Sequence, residues 1–407
     1  MLQTLETGVK GGKWFSLIDK VWKKTNLEAA WRKSLQNGGS AGVDGQTIRQ
    51  FSVKRQEELE KLQEQLQSGN YQPLPVRRGW IDKLGSKEKR PLGIPAVRDR
   101  IVQGAARNVI EPIFEREFEE HSYGFRPGRG CKDALRRVDK LLQQEHTWVV
   151  DVDFKGYFDS IPHDKLMERV SELISDGRLL DLLRGCLKAG VMDGLKGWEP
   201  TEQGTPQGAV ISPLLANLYL NPLDKLMVAK GYAMTRYADD FVVQCQSNAD
   251  AVAALELIQQ WAQANGLTVH PTKTRIVDAT QKGGFEFLGY HFERGLKWPR
   301  EKSFDKLKDT IRRHTRRTTG QSMRSTVRLI NPTLRGWFQY FQHSQWNTLS
   351  GLDSWVRMRL RSILRKNEGR KGRSRGSDQR RWTNAYFDEL GLYTLVKART
   401  QIRALSF

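Results

Sequence analysis

The alternation of apolar and polar positions predicts a β-sheet in the middle of the chain. Ala233 to Tyr237 and Phe241 to Cys245 are short apolar runs typical of strands. The Ala-Asp-Asp between them predicts the turn of a hairpin. A third strand-like run carries Asp151 and Asp153, which alternation places on one face. Helix-like segments separate these runs, so the pattern predicts an α+β fold in which helices back an antiparallel sheet.

The regions on either side have a different pattern. Apolar residues recur at helical spacing before residue 70 and again after residue 300. Between the first helical region and the sheet, strand-like runs near Trp80 and Arg90 predict a β-hairpin with cations at its rim. The expected domains are a helical extension at 1–70, a central α+β region at 71–299 and a basic helical region at 300–407. Within the last region, the Gly-, Ser-, Lys- and Arg-rich segment 366–381 predicts a flexible basic loop.

The charge of the chain is concentrated at one end. The net charge is +21, and residues 300–407 hold 25 Lys and Arg but only 8 Asp and Glu. This asymmetry indicates a polyanionic partner, either nucleic acid or an anionic membrane surface. No apolar run is long enough for a signal segment or a membrane span, and three scattered Cys residues do not form a disulfide framework or a zinc site. We therefore expect a cytoplasmic protein that binds nucleic acid and does not bind a membrane.

Paired carboxylates are the candidate catalytic groups. Asp239 and Asp240 are adjacent in the predicted turn, and neighbouring carboxylates on an apolar hairpin favour a divalent cation. The alternative is an ordinary surface turn, because Asp is common in turns. With the strand that carries Asp151 and Asp153, three carboxylates are expected at one edge of the sheet. Two-metal phosphoryl transfer needs that arrangement, and together with the basic regions it indicates a polymerase.

Two loops have residues suited to ligands. The segment 122–130 combines Gly, Arg and aromatic residues, so Arg126 and Arg129 are candidate contacts for a nucleic-acid strand. A packed surface loop is the alternative. Farther along, Gly204 and Gly208 flank Gln207, which allows the backbone to approach a ligand closely. A tight turn before a helix is the alternative there.

Four motifs resemble those of bacterial group II intron-encoded reverse transcriptases and maturases, in that family's order. They are IPHDKL at 161–166, GTPQG with ISPLLAN at 204–217, RYADDF at 236–241 and FLGY at 287–290. The resemblance covers about residues 35–400. It implies a right-hand polymerase with fingers, a palm built on an antiparallel sheet and a helical thumb, followed by an α-helical maturase domain.

The resemblance also implies roles for single residues. Asp153, Asp239 and Asp240 would be ligands of two catalytic Mg²⁺ ions. Asp153 is preferred to Asp151 because the family's ligand lies five residues before the aromatic residue that excludes a 2′-hydroxyl, here Phe158. The other implied roles are Lys83 and Arg90 for the triphosphate, Gln207 and Gly208 for the incoming nucleotide, Lys273 beside that site, Phe287, Leu288 and Gly289 for the primer grip, and Arg312, Arg313, Arg316 and Arg317 for RNA.

The implied partners are group II intron RNA, an RNA template with a DNA primer, dNTPs and target DNA. Two features depart from the family pattern. Ala209 stands where the family usually has Gly, and the chain ends at Phe407 without the Cys/His endonuclease segment of many relatives, so we expect no second-strand cleavage. Two alternatives remain open: an RNA-binding splicing cofactor with a dispensable polymerase, and another bacterial reverse transcriptase of the retron or diversity-generating type.

Overall fold

The computed structural model describes residues 12–82, 89–194, 196–318, 320–372 and 374–404. The chain divides into two compact units, Met1–Ile276 and Val277–Phe407. Each unit has its own buried apolar core.

The first unit begins with helices and continues as alternating strands and helices. Its helices are α1 (Ile18–Val21), α2 (Lys24–Asn37), α3 (Ile48–Val53), α4 (Arg55–Ser68), α5 (Val97–Glu115), α6 (Cys131–Gln143), α7 (Tyr157–Ser160), α8 (His163–Leu173), α9 (Gly177–Lys188), α10 (Ser212–Ala229) and α11 (Asn248–Ala264). Its strands are β1 (Val76–Asp82), β2 (Lys89–Ile94), β3 (Trp148–Val152), β4 (Val191–Asp193), β5 (Gly197–Glu199), β6 (Ala233–Tyr237) and β7 (Asp240–Cys245), and β8 (Arg275–Asp278) begins in this unit and ends two residues beyond its boundary.

Two sheets organise this unit. One has the strand order β6-β7-β3-β8, and the pairs β6–β7 and β3–β7 are antiparallel. The valines of β3 and the apolar residues of β7 are almost fully buried, and the buried side of α10 belongs to the same core. The other sheet has the order β2-β1-β4-β5, in which β1 and β2 form the expected hairpin. The predicted antiparallel sheet backed by helices is therefore confirmed.

The second unit is a small sheet followed by helices. Its strands are β9 (Phe285–Phe287), β10 (Tyr290–Glu293) and β11 (Leu296–Pro299), in the order β11-β10-β9. Its helices are α12 (Glu301–His314), α13 (Met323–Phe341), α14 (Trp346–Asn367), α15 (Gly376–Arg381), α16 (Asn384–Glu389) and α17 (Leu395–Ala404). Leu307, Phe338, Leu360 and Phe387 contribute to one apolar core, as the helical pattern predicts.

The predicted loop at 366–381 is confined to the middle of that segment, because both ends are helical and the described residues between Asn367 and Gly376 form neither helix nor strand. Helix α14 extends to Asn367, and α15 occupies the end of the segment. Asp378 is 0% exposed and accepts a hydrogen bond from Arg365 Nη1 at 3.1 Å. A buried carboxylate needs such a partner, and composition alone did not reveal it. Within the described ranges, no helix has both the length and the apolar character needed to cross a membrane.

Candidate active site

The Asp239–Asp240 pair lies where the sequence predicts, at the tip of the β6–β7 hairpin. Tyr237 pairs with Asp240, so Ala238 and Asp239 form a two-residue turn. Ala238 has a φ of 60°, a left-handed conformation that is unfavourable for a residue with a Cβ. Such backbone conformations persist only where the surroundings enforce them.

The third carboxylate enters from the neighbouring strand. Val152 pairs with Phe241 in the antiparallel β3–β7 ladder, and Asp153 follows directly after β3. Burial raises the pKa of the Asp239 carboxyl, and the charge of Asp153 raises it further, whereas Arg90 lowers it. Asp153 and Asp239 therefore interact electrostatically at this edge of the sheet.

Asp151 and Asp153 have different cationic partners. Lys273 Nζ lies 2.9 Å from Asp153 Oδ2, and Arg275 Nε lies 3.3 Å from Asp151 Oδ2. The backbone of Asp153 is also fixed, because its carbonyl accepts from the His270 N–H at 2.7 Å. Asp151 sits inside the strand and pairs with an arginine, whereas Asp153 lies beyond the strand end.

The donor set suits Mg²⁺ held together with substrate. In the part of the chain that the structure describes, no group of three or more His, Cys, Asp or Glu side chains is arranged to hold a metal ion. Asp153 and Asp239 nevertheless repel one another as two like charges, a repulsion that a divalent cation would relieve. Protein Mg²⁺ sites commonly use one or two carboxylates, completed by waters and substrate phosphates. These carboxylates fit that kind of site.

The Gln207 loop packs closely on the β1–β2 hairpin. The Gln207 carbonyl accepts from the Gly93 N–H at 2.7 Å. Gly208 has a φ of +108°, and a Cβ there would lie 2.6 Å from the Gly93 carbonyl oxygen. Ala209, the departure from the family pattern, is buried. Gly208 is therefore required by a close approach of two backbone segments.

The other residues predicted to contact the nucleotide differ in exposure and in their contacts. Phe158 is half-buried and packs edge-on against Tyr157, and its carbonyl accepts from the Thr205 N–H at 2.6 Å. Arg90 is exposed on β2 and acts electrostatically on Asp239. Lys83 lies outside the described residues.

Arg126 has a structural role and is not available for RNA. Its side chain is 2% exposed and lies 2.7 Å from Glu115 Oε1. It also donates to the carbonyls of Glu119 at 2.6 Å and Ser122 at 2.7 Å. Its donors are used inside the protein, so the predicted contact of Arg126 with a nucleic-acid strand is wrong. Arg129 is partly exposed and donates to the Glu120 carbonyl.

The predicted primer-grip residues form a tight turn in the second unit. Phe287 pairs with Tyr290, and Leu288 and Gly289 have φ values of 47° and 82°. Positive φ at both turn positions matches a type I′ hairpin. The Tyr340 hydroxyl donates to the Leu288 carbonyl at 2.7 Å, which holds the turn in place.

The C-terminal arginines form a cluster that sequence reasoning described only in part. Arg312 and Arg359 lie over the Trp355 ring at 5.8 and 6.0 Å from its centroid. Arg359 donates to the Thr315 carbonyl at 2.9 Å. Burial lowers the pKa of Arg359, and the charges of Arg312 and Arg317 lower it further.

The predicted arginines differ in position. Arg312 and Arg313 lie on α12, whereas Arg316 and Arg317 follow its end at His314. All four are exposed. Arg359 and Trp355 were missed because their helical spacing identifies them only as part of a helix.

Comparison with known families gives two adjacent matches. The family model for reverse transcriptase (RNA-dependent DNA polymerase) matches residues 81–292, and the group II intron maturase-specific domain matches 304–382. The chain belongs to the group II intron reverse transcriptase/maturase family. Membership makes it an RNA-directed DNA polymerase by family and supports the right-hand polymerase fold with a maturase domain.

Individual relatives agree with this assignment. The chain is 36% identical to Protein YkfC of Escherichia coli K12 over 66% of its own length and 80% of the relative. It is 39% identical to the group II intron-encoded protein LtrA of Lactococcus lactis over 49% of its own length, but this covers only 33% of LtrA.

Solved structures show weaker likeness. A partial Cas6-RT-Cas1–Cas2 complex matches with a TM-score of 0.40 at 24% identity, covering 61% of this chain and 41% of that one. Telomerase from Candida albicans matches with a TM-score of 0.45 at 12% identity, covering 84% and 68%.

Proposed function

We propose that this reverse transcriptase/maturase is encoded by a group II intron, copies RNA into cDNA by two-metal phosphoryl transfer, and binds its intron RNA to assist splicing and mobility. The observation that carries the proposal is that Asp153, Asp239 and Asp240 lie at the same edge of an antiparallel sheet. A splicing cofactor without polymerase activity has no use for these carboxylates.

The proposed reaction is attack of a primer 3′-hydroxyl on the α-phosphate of a dNTP, with pyrophosphate leaving. Bound Mg²⁺ would activate the hydroxyl and neutralise charge on the phosphates. Asp153, Asp239 and Asp240 would hold the metal. The Lys273 ammonium, 2.9 Å from Asp153, supplies a positive charge where phosphate charge develops.

The incoming nucleotide would lie along the Gln207 loop. Arg90 on strand β2 and Lys83, which lies outside the described residues, are the proposed triphosphate contacts, since Arg binds phosphate as a planar fork and Lys as a point charge. Gln207 and Gly208 would contact the nucleotide, and Phe158 would exclude a 2′-hydroxyl. In the second unit, Phe287, Leu288 and Gly289 are the proposed primer grip.

RNA binding is assigned to the arginines around Trp355. Burial and then the neighbouring charges of Arg312 and Arg317 lower the pKa of Arg359, and a phosphate group bound among these cations would offset their repulsion. Arg312, Arg317 and Arg359 would therefore contact intron RNA, with Arg313 and Arg316 beside them. Template RNA, primer and target DNA are expected to be further nucleic-acid partners.

Primer extension on an RNA template tests the polymerase. Asp239→Ala combined with Asp240→Ala should abolish cDNA synthesis and leave RNA binding within a few-fold. The control is Asp181→Ala, which removes an exposed carboxylate on α9, 77% exposed and paired with Arg184, and should extend like the wild type. Extension by the double variant would refute the assignment. Wild-type binding of intron RNA without any extension would favour the splicing-cofactor alternative.

A separate binding measurement tests the RNA surface. Changing Arg312, Arg313, Arg316 and Arg317 to Gln should weaken intron RNA binding and lower its salt slope by about 1 for each phosphate that the variant no longer binds. A variant with the same reduction of charge on the first unit controls for net charge, using Arg55, Arg107, Arg169 and Arg184, each in an ion pair there. An equal effect of both variants would refute a local RNA surface.

A further inference from the structure

A buried arginine lies two residues before the Ala238–Asp239 turn. Arg236 is 0% exposed. Its Nε donates to Asp224 Oδ1 at 2.8 Å and its Nη2 to Asp224 Oδ2 at 2.5 Å. Its Nη1 donates to Asn217 Oδ1 at 2.9 Å and to the Ala238 carbonyl at 2.8 Å. The guanidinium therefore connects helix α10 to the backbone of the turn that holds Asp239 and Asp240.

Asn217 extends this network to a second segment. While its Oδ1 accepts from Arg236, its Nδ2 donates to the Gly124 carbonyl at 2.6 Å. Gly124 in turn packs on the turn so closely that a Cβ there would overlap the Ala238 backbone nitrogen. The loop is also tied to strand β6, because the Tyr123 N–H donates to the Arg236 carbonyl at 2.8 Å. The turn is held from two sides.

A buried ion pair of this kind is not needed for stability alone. Removing two charges from water is costly, and apolar residues of similar volume often stabilise a core as well or better. What an apolar side chain cannot supply is a directed donor to the Ala238 carbonyl. That carbonyl belongs to the residue with the unfavourable φ of 60°, where an enforcing contact is required.

We propose that Arg236, Asp224 and Asn217 form a positioning network that holds the Ala238–Asp239 turn in the geometry needed for metal binding. Asp224 orients the guanidinium, the guanidinium holds the Ala238 carbonyl, and Asn217 links it to the loop at Gly124. A lysine has neither the planar fork nor the donors to make all these bonds at once. The inference rests on the proposed metal-binding role of Asp239 and Asp240.

The test separates positioning from folding by pre-steady-state primer extension. The burst amplitude counts active enzyme, whereas the burst rate and the Mg²⁺ concentration for half-maximal rate report on each active site. For Arg236→Lys and Asn217→Ala we expect a burst rate at least tenfold lower and a higher Mg²⁺ requirement, with the KM for dNTP changed less than about threefold. Asn217→Ala leaves the buried Arg236–Asp224 ion pair in place, so it keeps the test informative where Arg236→Lys does not fold.

The matched control is a buried Arg–Asp pair of the second unit, whereas the turn belongs to the first. Arg365 lies 3.1 Å from the buried Asp378 in the second unit, and Arg365→Lys should lower only the burst amplitude. Unchanged burst rate and Mg²⁺ requirement in both network variants would overturn the proposal and leave the network a structural role. Failure of the metal assignment is recognised separately, because Asp239→Ala would then still extend the primer.

Discussion

The close packing of Gly124 on the Ala238 backbone makes Gly124→Ala a sharp perturbation. The φ of Gly124 is not in the left-handed region, so alanine introduces no backbone strain of its own. Its Cβ would lie 2.8 Å from the Tyr237 carbonyl carbon and 3.0 Å from Ala238 Cα. Ordinary contacts of this kind are about 3.4–4 Å, so the turn or the loop must shift by about 1 Å.

The size of this displacement sets the expected losses of stability and of reaction rate. Overpacking of a well-filled site costs about 1–3 kcal/mol of unfolding free energy. A misplacement of about 1 Å in catalytic groups lowers the rate by about 100-fold. We therefore expect Gly124→Ala to remain folded and to lose about 100-fold in the rate of nucleotide addition, because the turn carries Asp239 and Asp240.

The assay is single-nucleotide addition to a primer on an RNA template, with the free energy of unfolding measured in parallel by urea titration. Gly130→Ala is the control in the same loop, since a Cβ at Gly130 has its nearest neighbour at an ordinary 3.8 Å. A Gly124→Ala variant with wild-type addition rate would refute the reasoning. A loss of activity equal in Gly130→Ala would show that the loop, and not its packing on the turn, controls the rate.

Two further predictions concern charges in the first unit. Lys273→Gln removes the ammonium 2.9 Å from Asp153, and both side chains are partly exposed. We therefore expect an unfolding free energy within about 1 kcal/mol of wild type, but a several-fold higher KM for dNTP in steady-state extension. An unchanged KM would contradict the proposed contact of Lys273 with the nucleotide. Burial raises the pKa of Asp99 to about 6 even though the Tyr71 hydroxyl donates to it. A carboxyl with a raised folded pKa binds its proton more tightly in the folded state, so stability falls as pH rises from about 4 to 6, by about 3 kcal/mol. Urea titrations across this range should show that the decrease is absent in Asp99→Asn, and an identical pH profile for both proteins would contradict it.

The sequence was informative where short-range pattern determines structure. Strands β6 and β7 and the turn between them follow from alternation and from Asp in a turn. The β1–β2 hairpin was predicted for the same reason. In these places the residues that form an element are neighbours in the chain.

Side-chain pairs between residues distant in the chain could not be predicted from the sequence. The Gly- and Arg-rich composition of its loop predicts that Arg126 is exposed. In the structure its side chain is buried and pairs with Glu115 and two backbone carbonyls. Segment 366–381 has the composition of a loop throughout, but its end forms helix α15, in which Asp378 pairs with Arg365. Since charged residues are seldom buried unless paired, a single sequence favours exposure for each of them. The pairing that reverses this preference depends on the fold.

The same reasoning explains why the Arg236 network was not visible beside the motif that identified the family. The RYADDF motif was recognised by its carboxylates. The sequence does not reveal which groups the side chain of its first residue, Arg236, contacts. The bond from Asn217 to Gly124 joins residues 93 positions apart. Paired carboxylates can therefore be recognised at adjacent positions of the sequence, but the contacts that hold their backbone require helix α10, strand β6 and the 121–124 loop to be brought together first. Positioning groups at such a site are consequently expected among buried polar residues whose partners lie far away in the chain.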